Sequence, residues 1–462
     1  MGRHPLSCFG MNGKTFSIIT LGCKLNQYES ECIREGLVRR GWIYHRPDGG
    51  ADYFIINSCT VTGKTDSRCR NAIRKAKRVS PNATIVITGC YAETQPDFLG
   101  DMDEVDYVIG NEHKGRLPAI IIMIEAGRKD GQRFDIALLA NSPPEEDLLI
   151  NGFLDHSRPF VKIQEGCDNG CTYCIIPAAR GPSRSVPQET VVRQVKLLER
   201  NGYREIVLAG THIGRYGRDL ESGNLETLVS TLLGACPGIR LRLSSIEVTE
   251  VTPGLLDIIR QTNRFAPHLH IPLQSGDDAI LESMNRSYGA ADFSRKVHEV
   301  SAAREGISIG TDIIVGFPGE TEESFKRTYA LVRDLPLTYF HVFSFSTRPG
   351  TPAARMPDQC KPETKKRRSR KLIRLGKRKK FAFLRSRVGS RQYALIQGPA
   401  HRSSRFSRSI TGNYCEVFLK CRSEITGKIV PVTITHYSRG RLYGQCLGEF
   451  DTDLENSLGS GR

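Results

Sequence analysis

Apolar residues in the first part of the chain fall into three short runs, "TFSIITLGC" (15–23), "DYFIINSC" (52–59) and "ATIVITGC" (83–90). Each is a nearly continuous apolar stretch rich in β-branched and aromatic residues, the pattern of a strand covered on both faces. Between them lie stretches with helical spacing of apolar and charged positions, such as "ESECIREGLVRRG" and "SRCRNAIRKAKRV". This alternation predicts an open parallel sheet. All three runs end at a cysteine: Cys23, Cys59 and Cys90. In such a sheet the carboxyl ends of the strands gather at one crevice where ligands bind, so the three thiols are expected to meet in a shared metal site. Any one of them alone would read as an ordinary buried thiol.

From about Asn111 to His156 the pattern lapses into a linker that includes the turn-rich "NSPPEEDL". Strand and helix signals then resume. Strands are predicted at "RPFVKIQEG", "EIVLAGTHI", "IRLRLSSIE", "HLHIPLQSG", "SIGTDIIVGF" and "TYFHVFSFS", with amphipathic helices between them. In "ETVVRQVKLLERNG", for example, Val191, Val192, Val195 and Leu198 share one face. Six such βα units make a barrel or most of one, whose chemistry is expected at the carboxyl ends of its strands. Farther on, "RQYALIQGP", "YCEVFLKC", "KIVPVTITHY" and "RLYGQCLGEF" predict a small all-β barrel of the kind that binds nucleic acid. The fold class is therefore α/β: an amino-terminal open parallel sheet (14–126), a central partial (βα)6 barrel (153–385) and a small carboxyl-terminal β-barrel (386–452).

Charge adds a partner. The 462 residues carry a formal +16, which favours contact with polyanions. Twelve Lys or Arg against one acid lie between Lys361 and Lys380, so this stretch supplies +11 of that charge. A run of this kind is often a solvated helical face, but here it joins two predicted domains. The start "MGRHPLSCFGMNGK" lacks the apolar core of a signal peptide, and the longest apolar run, "AIIIMI", is too short to span a bilayer. A cytoplasmic location with no membrane partner is expected. Fourteen cysteines in a reducing compartment point to metal or redox chemistry over a disulfide framework.

The densest chemistry is "GCDNGCTYC", which places Cys167, Cys171 and Cys174 in one glycine-flanked loop after the first barrel strand. A structural zinc needs four ligands, and the nearest histidines, His156 and His212, lie at no recognised spacing. A 4Fe-4S cube held by three cysteines leaves one iron open to a chelating small molecule, which is a catalytic arrangement. Cysteines with this C-x3-C-x2-C spacing after the first strand of a βα barrel resemble the radical S-adenosylmethionine superfamily, in which the cosubstrate's amino and carboxylate groups ligate the fourth iron and an electron from the cluster cleaves it to a 5′-deoxyadenosyl radical.

The resemblance extends along nearly the whole chain. "TLGCKLNQYESE", "INSCTVT", "VITGCYA", "EGCDNGCTYCIIPAARGPSRS", "LAGTHIGRYG", "HIPLQSGDD", "MNR" and "DIIVGFPGET" are similar to the methylthiotransferase family, with its three-cysteine amino-terminal domain, radical SAM barrel and RNA-binding TRAM barrel. Lys24, Tyr28 and "GTHIGRYG" resemble the branch that modifies N6-threonylcarbamoyladenosine beside the anticodon of tRNA. Other branches act on isopentenyladenosine or on an aspartate of a ribosomal protein. The resemblance implies two 4Fe-4S clusters, one on Cys167, Cys171 and Cys174 and an auxiliary one on Cys23, Cys59 and Cys90. It also implies S-adenosylmethionine as methyl donor and radical source, the anticodon stem-loop of tRNA as substrate, an electron donor such as flavodoxin or ferredoxin, and a sulfur source. The chemistry suits these parts, because the aromatic C–H at carbon 2 of adenine is neither acidic nor easily attacked and needs a cofactor-supplied radical.

Among the barrel residues, Gly210 is expected to let the cosubstrate's amino group approach the backbone, Glu247 to accept from that group, Asp312 to bind its ribose hydroxyls and Gln274 to face the cofactor. His268 and His270 read as structural, as do Cys8, Cys32, Cys69, Cys236, Cys360, Cys415, Cys421 and Cys446. In the last domain "SRSITGNYCEV" keeps the Gly412, Asn413, Tyr414 run of a TRAM barrel but lacks the usual arginine-threonine pair before the asparagine, and Gln397 stands where an acid is common. Arg402, Arg405 and Arg408 are expected to meet phosphates, with Phe406 and Tyr414 as stacking partners for bases. A reading of a different class is a metal-stabilised RNA-binding protein that catalyses nothing.

Overall fold

The computed structural model describes residues 13–127, 149–221, 223–400, 406–420 and 425–447. Arg402, Arg405, Cys8 and Cys421 lie outside the described residues. Two compact units divide the chain, the first running to Leu148 except for Val61–Gly63, the second taking in those three residues and everything from Leu149.

The first unit runs β1 (Thr15–Thr20), α1 (Lys24–Arg39), β2 (Ile43–Tyr44), β3 (Tyr53–Ser58), α2 (Gly63–Val79), β4 (Thr84–Gly89), α3 (Cys90–Thr94), α4 (Pro96–Gly100), β5 (Tyr107–Ile109) and α5 (Leu117–Ala126). Its five strands form one parallel sheet in the order β2-β1-β3-β4-β5. Strand β3 shows why its run is apolar throughout. Tyr53 and Ile55 pack on one face with Ile33, Leu37, Trp42 and α5, while Phe54 and Ile56 pack on the other with Cys69, Ile73 and Ala76 of α2. The predicted linker starts too early: residues from Asn111 form a 3-10 turn followed by α5, whose Ile120, Ile121 and Ile124 are buried in the sheet's core. The "AIIIMI" run thus belongs to a helix that buries one face and leaves Met123 exposed.

The second unit begins with β6 (Phe160–Lys162), β7 (Gln164–Glu165), α6 (Ile176–Arg180), β8 (Arg184–Ser185), α7 (Gln188–Arg200), β9 (Glu205–Ala209), α8 (Leu225–Ala235) and β10 (Arg240–Leu243). It continues through α9 (Pro253–Gln261), β11 (His268–His270), α10 (Asp278–Ser283), α11 (Ala290–Ala303), β12 (Ser308–Val315), α12 (Glu322–Asp334), β13 (Tyr339–Ser344) and α13 (Pro362–Ser386). Two parallel three-stranded sheets, β6-β9-β10 and β11-β12-β13, are joined by isolated parallel bridges Leu241 to Phe265 and Ser245 to His270. Together they make the partial six-stranded barrel that the sequence predicts. Val191, Val195 and Leu198 of α7 are buried against it, and Val192 is half-buried.

The basic run is the single helix α13, which packs on β13 where Gly376 leaves room for the Phe340 ring. Not all of its charge faces solvent. Arg368 is buried and donates 2.6 Å to Glu320, and Lys379 donates 2.7 Å to the Leu335 carbonyl, whereas Lys371, Arg374, Lys377 and Lys380 are exposed.

The chain ends in β14 (Arg391–Pro399), β15 (Ser407–Thr411), β16 (Glu416–Leu419), β17 (Ile429–Ser438) and β18 (Arg441–Cys446), a closed barrel in the order β14-β15-β16-β18-β17. It docks at the amino ends of the radical-barrel strands. Glu205, the first residue of β9, is fully buried and binds Arg240 at 2.5 Å, Arg242 at 2.9 Å and Arg158 at 3.3 Å. Burial alone would raise its carboxyl, but the three guanidiniums hold it far below the usual carboxylate range. The arginines then donate to carbonyls of the terminal barrel: Arg240 to Tyr393, and Arg242 to Gly412 and Thr411, at 2.9 to 3.1 Å. Asn413 donates to the Gly306 carbonyl at 3.1 Å. Tyr414 stacks on His268 with centroids 4.5 Å apart beneath the Arg242 guanidinium. The Tyr414 ring thus serves the docking, while the residue remains 40% exposed. His268 has the structural role expected of it, bonding the Tyr339 hydroxyl at 2.8 Å.

Candidate metal centres

Strands β1, β3 and β4 are neighbours, so Cys23, Cys59 and Cys90, at or just past their ends, line one edge of the sheet. Cys23 caps α1 and is exposed; Cys59 and Cys90 are buried. The Asn26 amide donates 2.8 Å to both Leu21 and Ser58 carbonyls, tying the end of β1 to that of β3. Gly22 has φ +111°, and a Cβ there would stand 2.6 Å from the Cβ and 2.9 Å from the Sγ of Cys59. Only glycine lets these two turns approach so closely.

In the second unit the loop from Gly166 to Cys174 follows β7, at the carboxyl end of the barrel's first strand. Gly166 has φ +74° and lies against Pro182, whose carbonyl oxygen would be 1.8 Å from a Cβ. Gln164 is fully buried and organises the loop. Its amide donates to the Gly166 carbonyl at 2.8 Å and the Ser183 hydroxyl at 2.9 Å, and its oxygen accepts from the His212 N–H at 2.8 Å. The far side is braced by "MNR": Asn285 donates to the Gly170 carbonyl at 2.9 Å, and Thr172 N–H donates to the Met284 carbonyl at 3.1 Å.

An arginine and a histidine reach the loop's sulfurs. Arg286 Nη1 donates to Cys171 Sγ at 3.3 Å and its Nη2 pairs with Glu247. His212 Nδ1 lies 3.6 Å from Cys167 Sγ while its Nε2 lies 2.7 Å from Glu250. Burial opposes charge on His212, but its bonds to Cys167 and Glu250 lift it to about 9. Burial likewise raises the Glu247 carboxyl despite its arginine, and pushes the Cys174 thiol up to about 12. Thiols held protonated in this way release their protons when a metal takes their place.

The four expected cofactor residues fall into two groups. Gln274, with φ 67°, and Asp312 line one cavity with Tyr173 and Cys174. The Asp312 carboxylate accepts from His270 at 3.0 Å and His341 at 3.1 Å; against burial, these imidazoles hold it well below the usual range. Glu247 instead lies on Arg286. Gly210 packs on Gln164, whose Oε1 would be 2.9 Å from a Cβ there. Gln164, His212, Glu250, Arg286 and His341 carry no expected cofactor role in the sequence reading, although "GTHIGRYG" and "MNR" frame two of them. His156, the other histidine near the loop, packs between Phe153 and Phe160.

The donor sets fit iron-sulfur clusters. Each triad supplies three thiols, enough to ligate three irons of a cube and leave the fourth open, whereas a structural zinc needs four ligands.

An open six-stranded barrel with this loop at the end of its first strand defines the radical S-adenosylmethionine class. Residues 161–332 match the radical SAM superfamily, and residues 15–110 match a family described as uncharacterized protein family UPF0004. The radical S-adenosylmethionine methyltransferase TsrM from Kitasatospora setae shares the fold, with a TM-score of 0.53 and 15% identity over 74% of this chain and 77% of that one. The threonylcarbamoyladenosine tRNA methylthiotransferase MtaB of Bacillus subtilis is 37% identical over 91% of this chain and 93% of that protein. Its Aquifex aeolicus counterpart is 38% identical over 90% and 98%, and the tRNA-2-methylthio-N(6)-dimethylallyladenosine synthase of Finegoldia magna 30% over 93% and 94%. The chain belongs to the threonylcarbamoyladenosine tRNA methylthiotransferase family, enzymes that transfer a sulfur-containing group.

Proposed function

We propose that the protein converts N6-threonylcarbamoyladenosine beside the anticodon of tRNA into its 2-methylthio form, replacing C–H by C–S–CH3 at carbon 2. The observation that carries this reading is the cysteine loop at the carboxyl end of the first strand of an open barrel, within a chain alignable almost end to end with enzymes named for that substrate. Cys167, Cys171 and Cys174 would hold the radical cluster, and Cys23, Cys59 and Cys90 the auxiliary one. When bound, these clusters would supply the electron for cleaving S-adenosylmethionine and a site for the sulfur donor. The chain's own residues shape the site: Gln164 and Asn285 fix the loop, and Asp312 and Gln274 present polar groups beside Cys174. Low-potential flavodoxin or ferredoxin would supply the electron and a separate donor the sulfur. A tRNA substrate places the enzyme in the cytoplasm. Among the described residues no helix is long and apolar enough to cross a membrane.

A strain lacking the protein is expected to accumulate N6-threonylcarbamoyladenosine without its 2-methylthio form, read by mass spectrometry of tRNA nucleosides. Loss of methylthio from isopentenyladenosine instead would refute the branch while leaving the reaction. Anaerobic reconstitution separates enzyme from inert RNA-binding module: about eight irons per chain with cleavage of S-adenosylmethionine, against zinc without cleavage.

Helix α13 is the expected phosphate-binding face. Lys371, Arg374, Lys377 and Lys380 are exposed, so replacing them with glutamine removes charge at the cost of the Lys371 contact over the Phe325 ring. The dependence of log affinity for tRNA on log salt should then flatten by about one per lost phosphate contact, with unstimulated cleavage of S-adenosylmethionine near normal. An unchanged slope would remove α13 from the tRNA interface.

A further inference from the structure

Arg286 and His212, the two side chains that reach sulfurs of the cysteine loop, share one anchor. After β10 the chain turns through Val248–Glu250, and this single turn presents Glu247 to Arg286 and Glu250 to His212. The fit is close: a Cβ on Gly214, in "GTHIGRYG", would lie 2.0 Å from Glu250 Oε2, so glycine there leaves room for the acid. All four side chains are largely buried: Arg286, His212 and Glu250 are no more than 8% exposed and Glu247 is 19% exposed. Arg286 is further fixed by its Nε bond to the Tyr288 hydroxyl at 3.2 Å, with the guanidinium 5.0 Å over that ring. Such fixation exceeds what a loop brace needs, because Gln164, Thr172 and Asn285 already hold the loop backbone. What Arg286 and His212 touch is sulfur.

We propose that Arg286 and His212 set the reduction potential of the cluster on Cys167, Cys171 and Cys174, each by donating to one ligating sulfur, with Glu247 and Glu250 limiting how far they raise it. The inference rests on the assignment of those three cysteines as cluster ligands. Reduction takes one electron from a low-potential redox protein, breaks no bond and adds one negative charge, shared by the irons and their thiolates. A fixed donor at a thiolate stabilises the reduced form more than the oxidised form and so raises the potential. Cleavage of S-adenosylmethionine requires a strongly reducing cluster, so an unopposed arginine against Cys171 would blunt it. The carboxylate beside each cation offsets that charge and holds the donor on its sulfur.

The test uses the full chain with Cys23, Cys59 and Cys90 all changed to alanine, so that one cluster gives the signal. It is reconstituted anaerobically and titrated by paramagnetic resonance without S-adenosylmethionine. R286Q is expected to shift the reduction equilibrium about tenfold toward the oxidised cluster, 59 mV for one electron, with H212Q moving it the same way. R286K should retain most of the wild-type value. E247Q should move the potential upward, because it leaves the Arg286 charge uncompensated. That opposition of sign is something a merely structural role would not produce. Unchanged potentials in R286Q and H212Q at full iron content would overturn the proposal, as would a downward shift in E247Q or loss of iron in both R286Q and R286K. C171A in the same background checks the underlying assignment separately: retention of the wild-type signal would show that the ligands are misassigned, whereas its loss leaves the potentials to decide.

Discussion

Cys171→Ala is expected to abolish cleavage of S-adenosylmethionine, and Cys59→Ala to leave that cleavage largely intact while blocking sulfur insertion. The two cysteines belong to separate compact units with separate cores, so each variant is expected to remove a ligand from one site only. The bonds of Asn285 to the Gly170 carbonyl and of Thr172 to the Ser283 carbonyl flank Cys171 and remain when its sulfur is removed, although the bond from Arg286 is lost. Two thiolates then face a cube that needs three, and the iron open to the cosubstrate is lost with it. Cys59 ends a fully buried strand, and alanine there removes a ligand at little cost in volume. Each variant should keep about four irons, half the wild-type complement. The readings are 5′-deoxyadenosine released by each variant and 2-methylthio nucleoside formed on tRNA. If Cys59→Ala loses the radical cluster and all cleavage, the two-site reading is wrong.

Much of this was legible in the chain because the signals are local. Strands β3 and β4 are uninterrupted apolar runs, and the turn residues and cysteines follow them directly, so both the sheet and its row of thiols could be read in order. The C-x3-C-x2-C loop is likewise a matter of nine residues. The failures have physical causes. β2 and β5 span two and three residues, too few for a period to show. Helix α5 is apolar nearly all round, with even its exposed side carrying Met123, so it lacks the polar face by which a helix is recognised. The contacts to the loop's sulfurs are nonlocal: Arg286 reaches Cys171 across 115 residues and His212 reaches Cys167 across 45. Spacing rules for metal sites set His212 aside as a zinc ligand, and they have no means of finding a residue that reaches a ligand's sulfur. Tyr414 is nonlocal in the same way: its contacts with His268 and Arg242, where the two barrels join, leave no mark on the motif around it.

That junction carries the second large effect. Glu205→Gln is expected to destabilise the docking of the terminal barrel by about 3–5 kcal/mol, because it leaves Arg240 and Arg242 buried beside a neutral amide. Both arginines are at most 2% exposed, and the carbonyls of Tyr393, Thr411 and Gly412 that they also touch carry no formal charge to replace the carboxylate. Hydrogen exchange at Ile410 to Cys415 should accelerate by about a hundredfold or more, at about 1.4 kcal/mol per factor of ten, while the sheet of the first unit keeps its protection. The effect has a defined pH dependence. A carboxyl depressed by folding contributes stability that is fully present above its unfolded value of about 4.3 and is lost as pH falls through the folded one. The gap between wild type and Glu205→Gln should therefore stay constant from neutrality down to about pH 5 and close only under more acidic conditions. A gap that already closes between pH 7 and pH 5 would point to a histidine, with His268 beneath Tyr414 the nearest, as the group that holds the junction.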